Sequence, residues 1–134
     1  MENKLKHLEF IQSVISRMGS NSFLVKGWAV TLVAALFALA AKDSNVRFVY
    51  VAYLPVLAFW SLDTFFLRQE RLYRNLYDIV RAKAPDQIDF DMNASTKCNE
   101  KTLFFEVFFS STLRNFHGAI LVVVGVVTYI LLKA

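Results

Sequence analysis

The chain has 134 residues, 56% of them hydrophobic and 13 of them phenylalanine, with a formal net charge of +4 and a single cysteine. That length supports one compact domain and excludes two, and the apolar share exceeds the ~45–50% usual in soluble domains. With Cys98 alone no intrachain disulfide can form, and no CxxC motif or Cys/His cluster offers a zinc site, so Cys98 reads as an ordinary thiol. The apolar residues are gathered into long runs with basic residues beside them. This pattern reflects membrane topology and anionic headgroups and argues against nucleic acid as a partner.

Within residues 1–20, the segment KLKHLEFIQSVISRM has helical periodicity. Leu8, Ile11, Val14, Ile15 and Met18 share one face, and Lys6, Glu9, Ser13, Ser16 and Arg17 the other. It is too polar to cross a bilayer and suits the interface or another helix. The stretch GSNS (19–22) is expected to break this helix, with Ser20, Asn21 or Ser22 capping the next. Residues 23–41 form a first apolar run, long enough at ~1.5 Å per residue to cross a ~30 Å hydrocarbon core. Its ALA (38–40) resembles a signal-peptide cleavage site. The long preceding segment with Glu2 and Glu9, and the second run that follows at once, favour a retained span.

A polar turn, KDSNVR (42–47), leads to a second run over 48–67, which Pro55 is expected to kink. The short turn predicts an antiparallel hairpin. Residues 68–84 are expected to extend the second helix into water. Leu72, Leu76 and Val80, with Tyr73 and Tyr77 beside them, make a face for self-association or a partner, and Pro85 ends the helix. Arg68, Arg71 and Arg74 are placed at lipid headgroups.

Residues 85–101 read as a polar loop. Its Asp89, Asp91 and Asn93 imitate half a calcium loop, but the turn glycine and closing glutamate are missing, so no metal is assigned. The sequon NAS (93–95) falls in the same loop, which is expected to face the cytoplasm. The aromatic segment 102–115 suits an interfacial helix, and 116–132 a third, short span, with a kink near Gly118 between them. The expected fold is therefore an all-α integral membrane protein. The excess of lysine and arginine puts the N-terminus and residues 68–115 in the cytoplasm.

No GxSxG, HExxH or P-loop pattern is present, so no catalytic residue or cofactor is assigned and an enzyme is not expected. His7 and His117 read as headgroup-level or helix-packing residues. The informative constellation comes from the hairpin. Folding the chain about its short turn brings Lys26 level with Asp63 and Trp28 level with Trp60, near the cytoplasmic boundary. Gly27 would allow close approach of the two helices. Lys26 and Asp63 can neutralise each other within one chain or between subunits. Alternatively, Asp63 lines a cation pathway in an oligomer. The tryptophans suit a headgroup belt.

The strings HLEFIQSVISRMGSNSFLVKGW and FWSLDTFFLRQERLYRNLYDIVR look like a pattern of small bacterial membrane proteins. The layout over residues 4–83 resembles the SLATT-type membrane effectors of bacterial conflict systems. The resemblance implies an inner-membrane homo-oligomer acting in antiviral defence, which forms an ion-conducting pore or depolarises the membrane on a cytoplasmic cue. Residues 102–132 depart from its two-span pattern. The alternative reading is a non-conducting anchor or adaptor that recruits a cytoplasmic partner through residues 68–115.

Overall fold

The computed structural model of the chain describes residues 1–43 and 45–133, and every element among them is helical. Helix α1 (Glu2–Asp43) is followed by α2 (Arg47–Val51), α3 (Tyr53–Ala82), α4 (Phe104–Phe108) and α5 (Ser111–Lys133). Three helical stretches, Glu2–Asp43, Arg47–Ala82 and Ser111–Lys133, are long and apolar enough to cross a membrane.

The expected break at GSNS does not occur, because α1 runs unbroken for 42 residues, about 63 Å at the α-helical rise. Its buried residues explain this. His7, Ile11, Ile15, Ser22, Val25, Ala29, Val33 and Ala40 form one stripe at helical spacing that passes straight through the stretch. A single interior glycine costs only ~1 kcal/mol, which packing on both sides offsets. Pro55 leaves a mark on the second helix one turn earlier. It lacks an N–H for the Val51 carbonyl, and the helix is interrupted at Ala52, whose N–H turns back to the Val49 carbonyl at 3.1 Å. The long second helix then ends at Ala82, with Ala84 extended (ψ 149°) ahead of Pro85.

Helices α1 and α3 pack antiparallel along most of their length. In the half nearest the α1–α2 turn, Val33 and Ala40 meet Val49, Ala52, Val56 and Val124. In the other half, Ile11 and Ile15 meet Leu72, Leu76 and Val80, with Ala94 closing over them. Helix α5 runs antiparallel to α3, since His117 meets Asp63 at one end and Thr128 meets the Tyr53 hydroxyl at 3.0 Å near the other. Helix α5 is continuous through Gly118. The turn falls instead at Phe109–Ser110, between α4 and α5.

Residues 83–103 form a strap across the polar end. The alternating Asp89, Asp91 and Asn93 oxygens accept the N–H of Asp91, Asn93 and Ser95 respectively, at 3.1, 2.9 and 3.1 Å. Their spacing thus builds successive side-chain turns. His7 Nε2 donates to the Asp91 carbonyl at 2.9 Å and Lys4 Nζ to the Lys83 carbonyl at 2.9 Å, tying the strap to the start of α1. Around these three stretches many outward side chains are large and apolar, among them Phe23, Leu24, Leu54, Leu57, Val122, Val126 and Ile130.

Candidate functional site: a buried carboxylate between three helices

Asp63 lies on the buried stripe of α3, between Trp60 on one side and Thr64 and Leu72 on the other, and its side chain is fully excluded from solvent. A carboxylate there needs donors, because burying an unpaired charge is prohibitive. Three arrive, from two other helices. From α1, the Ser22 hydroxyl donates to Oδ1, and Lys26 Nζ lies 2.6 Å from Oδ2. Ser22 and Lys26 are one turn apart, so both side chains face α3, and Lys26 Nζ also donates to Ser22 Oγ at 2.7 Å. From α5, His117 Nε2 donates to Oδ2 at 2.8 Å, from a ring that is itself fully buried. With Nε2 carrying that proton, Nδ1 has no partner among the described residues.

Aromatic rings wall the cluster on the α4–α5 side. Trp60 stacks on Phe108 (centroids 4.5 Å apart, 3° between planes) and lies near-parallel to His117 at 5.9 Å. The Trp60 indole N–H donates to the Phe108 carbonyl at 2.9 Å, which fixes the short α4 against α3. Phe116 sits edge-on to His117 at 5.1 Å and beneath Lys26 Nζ at 5.9 Å. Lys26 is the outlet of the cluster, with 19% of its side chain exposed.

The contact between Lys26 and Asp63 agrees with the folded hairpin, and it forms within one chain. The other expected positions differ. Trp60 turns inward, whereas Trp28 is 61% exposed and lies along an outer groove with Leu24, Phe59 and Phe66, so the two indoles form no shared tier. Gly27 makes no close approach, since a Cβ built there meets nothing within 4 Å. The face of Leu72, Leu76 and Val80, expected to pair with another molecule, is covered by Ile11 and Ile15 of the chain's own α1, with Tyr73 and Tyr77 at its margin. Unbroken α1 lays its N-terminal half along that face. Nor are the three arginines simply turned to headgroups. Arg68 Nε donates to the Thr102 carbonyl at 2.7 Å, Arg71 Nη1 to the Lys101 carbonyl at 2.8 Å, and Arg74 pairs with Glu70 at 2.8 Å. The strap supplies carbonyls that have no helical partner, and guanidinium groups satisfy them.

Sequence reasoning missed Ser22, assigned only as a possible cap, and His117 as a partner of Asp63. A signal for His117 was present. Leu113, His117, Val124 and Thr128 recur at helical spacing as one buried stripe, and a histidine on such a stripe needs a polar partner at its own depth. Chemically the cluster compensates a buried carboxylate with an ammonium, a hydroxyl and an imidazole N–H, and it ties three helices at one level. Comparison with protein-family models, curated proteins and solved structures gives no match for the chain.

Proposed function

We propose that the chain is a small effector of the bacterial inner membrane, which assembles as an oligomer and permeabilises the bilayer when a cytoplasmic cue disturbs its polar end. The supporting observation is the continuity of α1 and α3 through the level of Asp63. Both helices pass without interruption from the polar end into the apolar half. A shift of one against the other near Ile11 and Leu76 therefore reaches Ser22, Lys26 and Asp63 with little loss. Separation leaves a carboxylate and an ammonium at the edge of the hydrocarbon, where each is costly. An assembly that turns them towards water relieves that cost. In the resting chain Asp63 faces its own partners, so any pore-lining role belongs to the opened assembly. The resemblance to SLATT-type effectors fits this reading.

The test is ion flux from vesicles carrying the full chain. Wild type is expected to be quiet, and Lys26→Ala or His117→Ala to leak without a cue. If no variant leaks, and expression of none depolarises cells, the effector reading fails. A second reading, a non-conducting anchor or adaptor, is favoured by the occupied Leu72–Leu76–Val80 face, which leaves that surface unable to pair with copies. A monomer in detergent that captures one soluble cytoplasmic protein through residues 68–115 would support it.

A further inference from the structure

A second polar site lies outside the Asp63 cluster, where α3 meets the end of the strap. Arg71, Arg74, Asn75, Asn99, Lys101 and Thr102 line a pocket of about 260 Å³. Its walls are held by the strap's own bonds. Asn75 Nδ2 donates to the Lys97 carbonyl at 2.9 Å, Asn99 Oδ1 accepts the Lys101 N–H at 2.9 Å, and Thr102 Oγ1 accepts the Asn99 N–H at 2.8 Å. Three cations line it and one carboxylate answers them, Glu70 paired with Arg74 at 2.8 Å. Among the described residues Arg71 and Lys101 have no carboxylate within ion-pair distance. The one recorded bond of the Arg71 guanidinium, to the Lys101 carbonyl, leaves four of its five N–H groups over.

We propose that this pocket binds an anionic phosphodiester, and that a phospholipid headgroup supplies it. Guanidinium and ammonium groups converging with side-chain amides suit phosphate oxygens. Depth argues for the lipid source. The chain passes from Thr102 directly into Leu103, Phe104 and Phe105, which are 59%, 41% and 73% exposed. Apolar side chains so exposed at the start of a short helix belong in the boundary layer of a bilayer. Arg71 lies eight residues beyond Asp63 on the same helix, about 12 Å along its axis. With Asp63 at the edge of the hydrocarbon, as proposed above, that puts the pocket at headgroup level. Size agrees, since sites for drug-sized ligands run to ~300–1,000 Å³ and this one is smaller. The site is narrower than a general contact of surface arginines. Arg68 does not line the pocket, whereas Lys101 and the two asparagines do.

The experiment is thermal unfolding of the full chain in a non-ionic detergent, titrated with dioctanoyl phosphatidylglycerol, with phosphatidylcholine of the same chain length, and with inorganic phosphate. Phosphatidylglycerol is expected to raise the midpoint in a saturable way and phosphatidylcholine, whose own cation meets Arg71 and Lys101, to do so far less. Lys101→Gln keeps the backbone carbonyl that Arg71 uses, so it leaves the fold alone. It is expected to weaken the lipid about fivefold, the worth of one basic residue near an anionic surface, with Lys101→Arg restoring it. A shift from inorganic phosphate alone as large as that from phosphatidylglycerol would assign the site to the free anion and overturn the lipid source. Equal shifts from the two lipids, or Lys101→Gln and Arg71→Gln both titrating like wild type, would overturn the proposal.

Discussion

Replacing Lys26 by alanine removes an ammonium 2.6 Å from Asp63 and leaves the carboxylate fully buried. Stripping one partner from a buried ion pair costs ~3–5 kcal/mol. Two features put this site at the lower end. Ser22 and His117 still donate to the two oxygens, and Lys26, at 19% side-chain exposure, is partly solvated already. The expected cost is about 3 kcal/mol. Asp63→Asn keeps the shape and frees Lys26 to reach towards water, so about 2 kcal/mol is expected. The double variant leaves no unpaired charge and should cost about 3 kcal/mol, which makes the coupling about 2 kcal/mol. Ser22→Ala bears on the same carboxylate but removes only a hydroxyl bond between helices, worth ~0.6 kcal/mol on average and at most ~1.7. The assay is reversible unfolding in mixed micelles, followed by far-UV circular dichroism, on all four members of the cycle. Costs that add to within ~0.5 kcal/mol would refute the claim that these residues act as one unit.

Three further outcomes are expected. Leu76→Ala, deep in the core between α1 and α3, should destabilise the chain by ~2–5 kcal/mol without altering its subunit number; loss of self-association at unchanged stability would contradict the packing. Gly27→Ala should stabilise it by ~0.8–1 kcal/mol, the helix-propensity difference, because the added Cβ meets nothing in the chain; a fall in assembly measured by crosslinking would locate a second copy there. The strap should loosen in acid. The N–H of Asp91, and then Lys83, hold the Asp89 carboxyl below its ordinary 3.8. A depressed folded value gives stabilisation that is present above the unfolded value and lost as pH falls through the folded one. Protease cleavage within residues 85–101 should thus accelerate below about pH 3.8 and stay flat from 5 to 7, with Asp89→Asn removing the step.

The three apolar helices and the depth pairing of Lys26 with Asp63 were legible because both follow from length and a short turn. A hairpin joined by a few residues can only close antiparallel, and its register then follows from counting. What escaped was azimuth. Counting places Trp28 level with Trp60, but it does not say that Trp60 faces α4 while Trp28 faces outward. The GSNS stretch was misread for a different reason. Local capping chemistry competed with a packing stripe eight residues long in its buried members, and the stripe won because tertiary burial outweighs a propensity cost of ~1 kcal/mol. The strap's use of Arg68 and Arg71 was not legible either. Backbone carbonyls carry no sequence signal, so nothing in the sequence marks an arginine whose guanidinium bonds one.

Why three donors should converge on one carboxylate is a question of register as much as of stability. Buried ion pairs are often matched or surpassed in stability by apolar side chains of the same volume, and their best-attested use is to specify an arrangement. Ser22 and Lys26 sit one turn apart on α1 and both reach Asp63. Sliding α1 by one turn in one direction would bring Lys26 to the place of Ser22 and Val30 to the place of Lys26. In the other direction it would bring Ser22 to the place of Lys26 and Met18 to the place of Ser22. Either slip leaves one donor from α1 where there were two. The apolar contacts discriminate less, because Ile11 and Ile15 below and Val25, Ala29 and Val33 above recur at near-helical intervals and would find similar partners after a slip. His117 adds the same constraint for α5, whose remaining buried residues are mostly aliphatic. The cluster therefore sets the axial register of all three spans at once. On the proposed reading, a cue acting on the polar end works against this cost, because a one-turn slip of α1 takes one donor from a buried carboxylate.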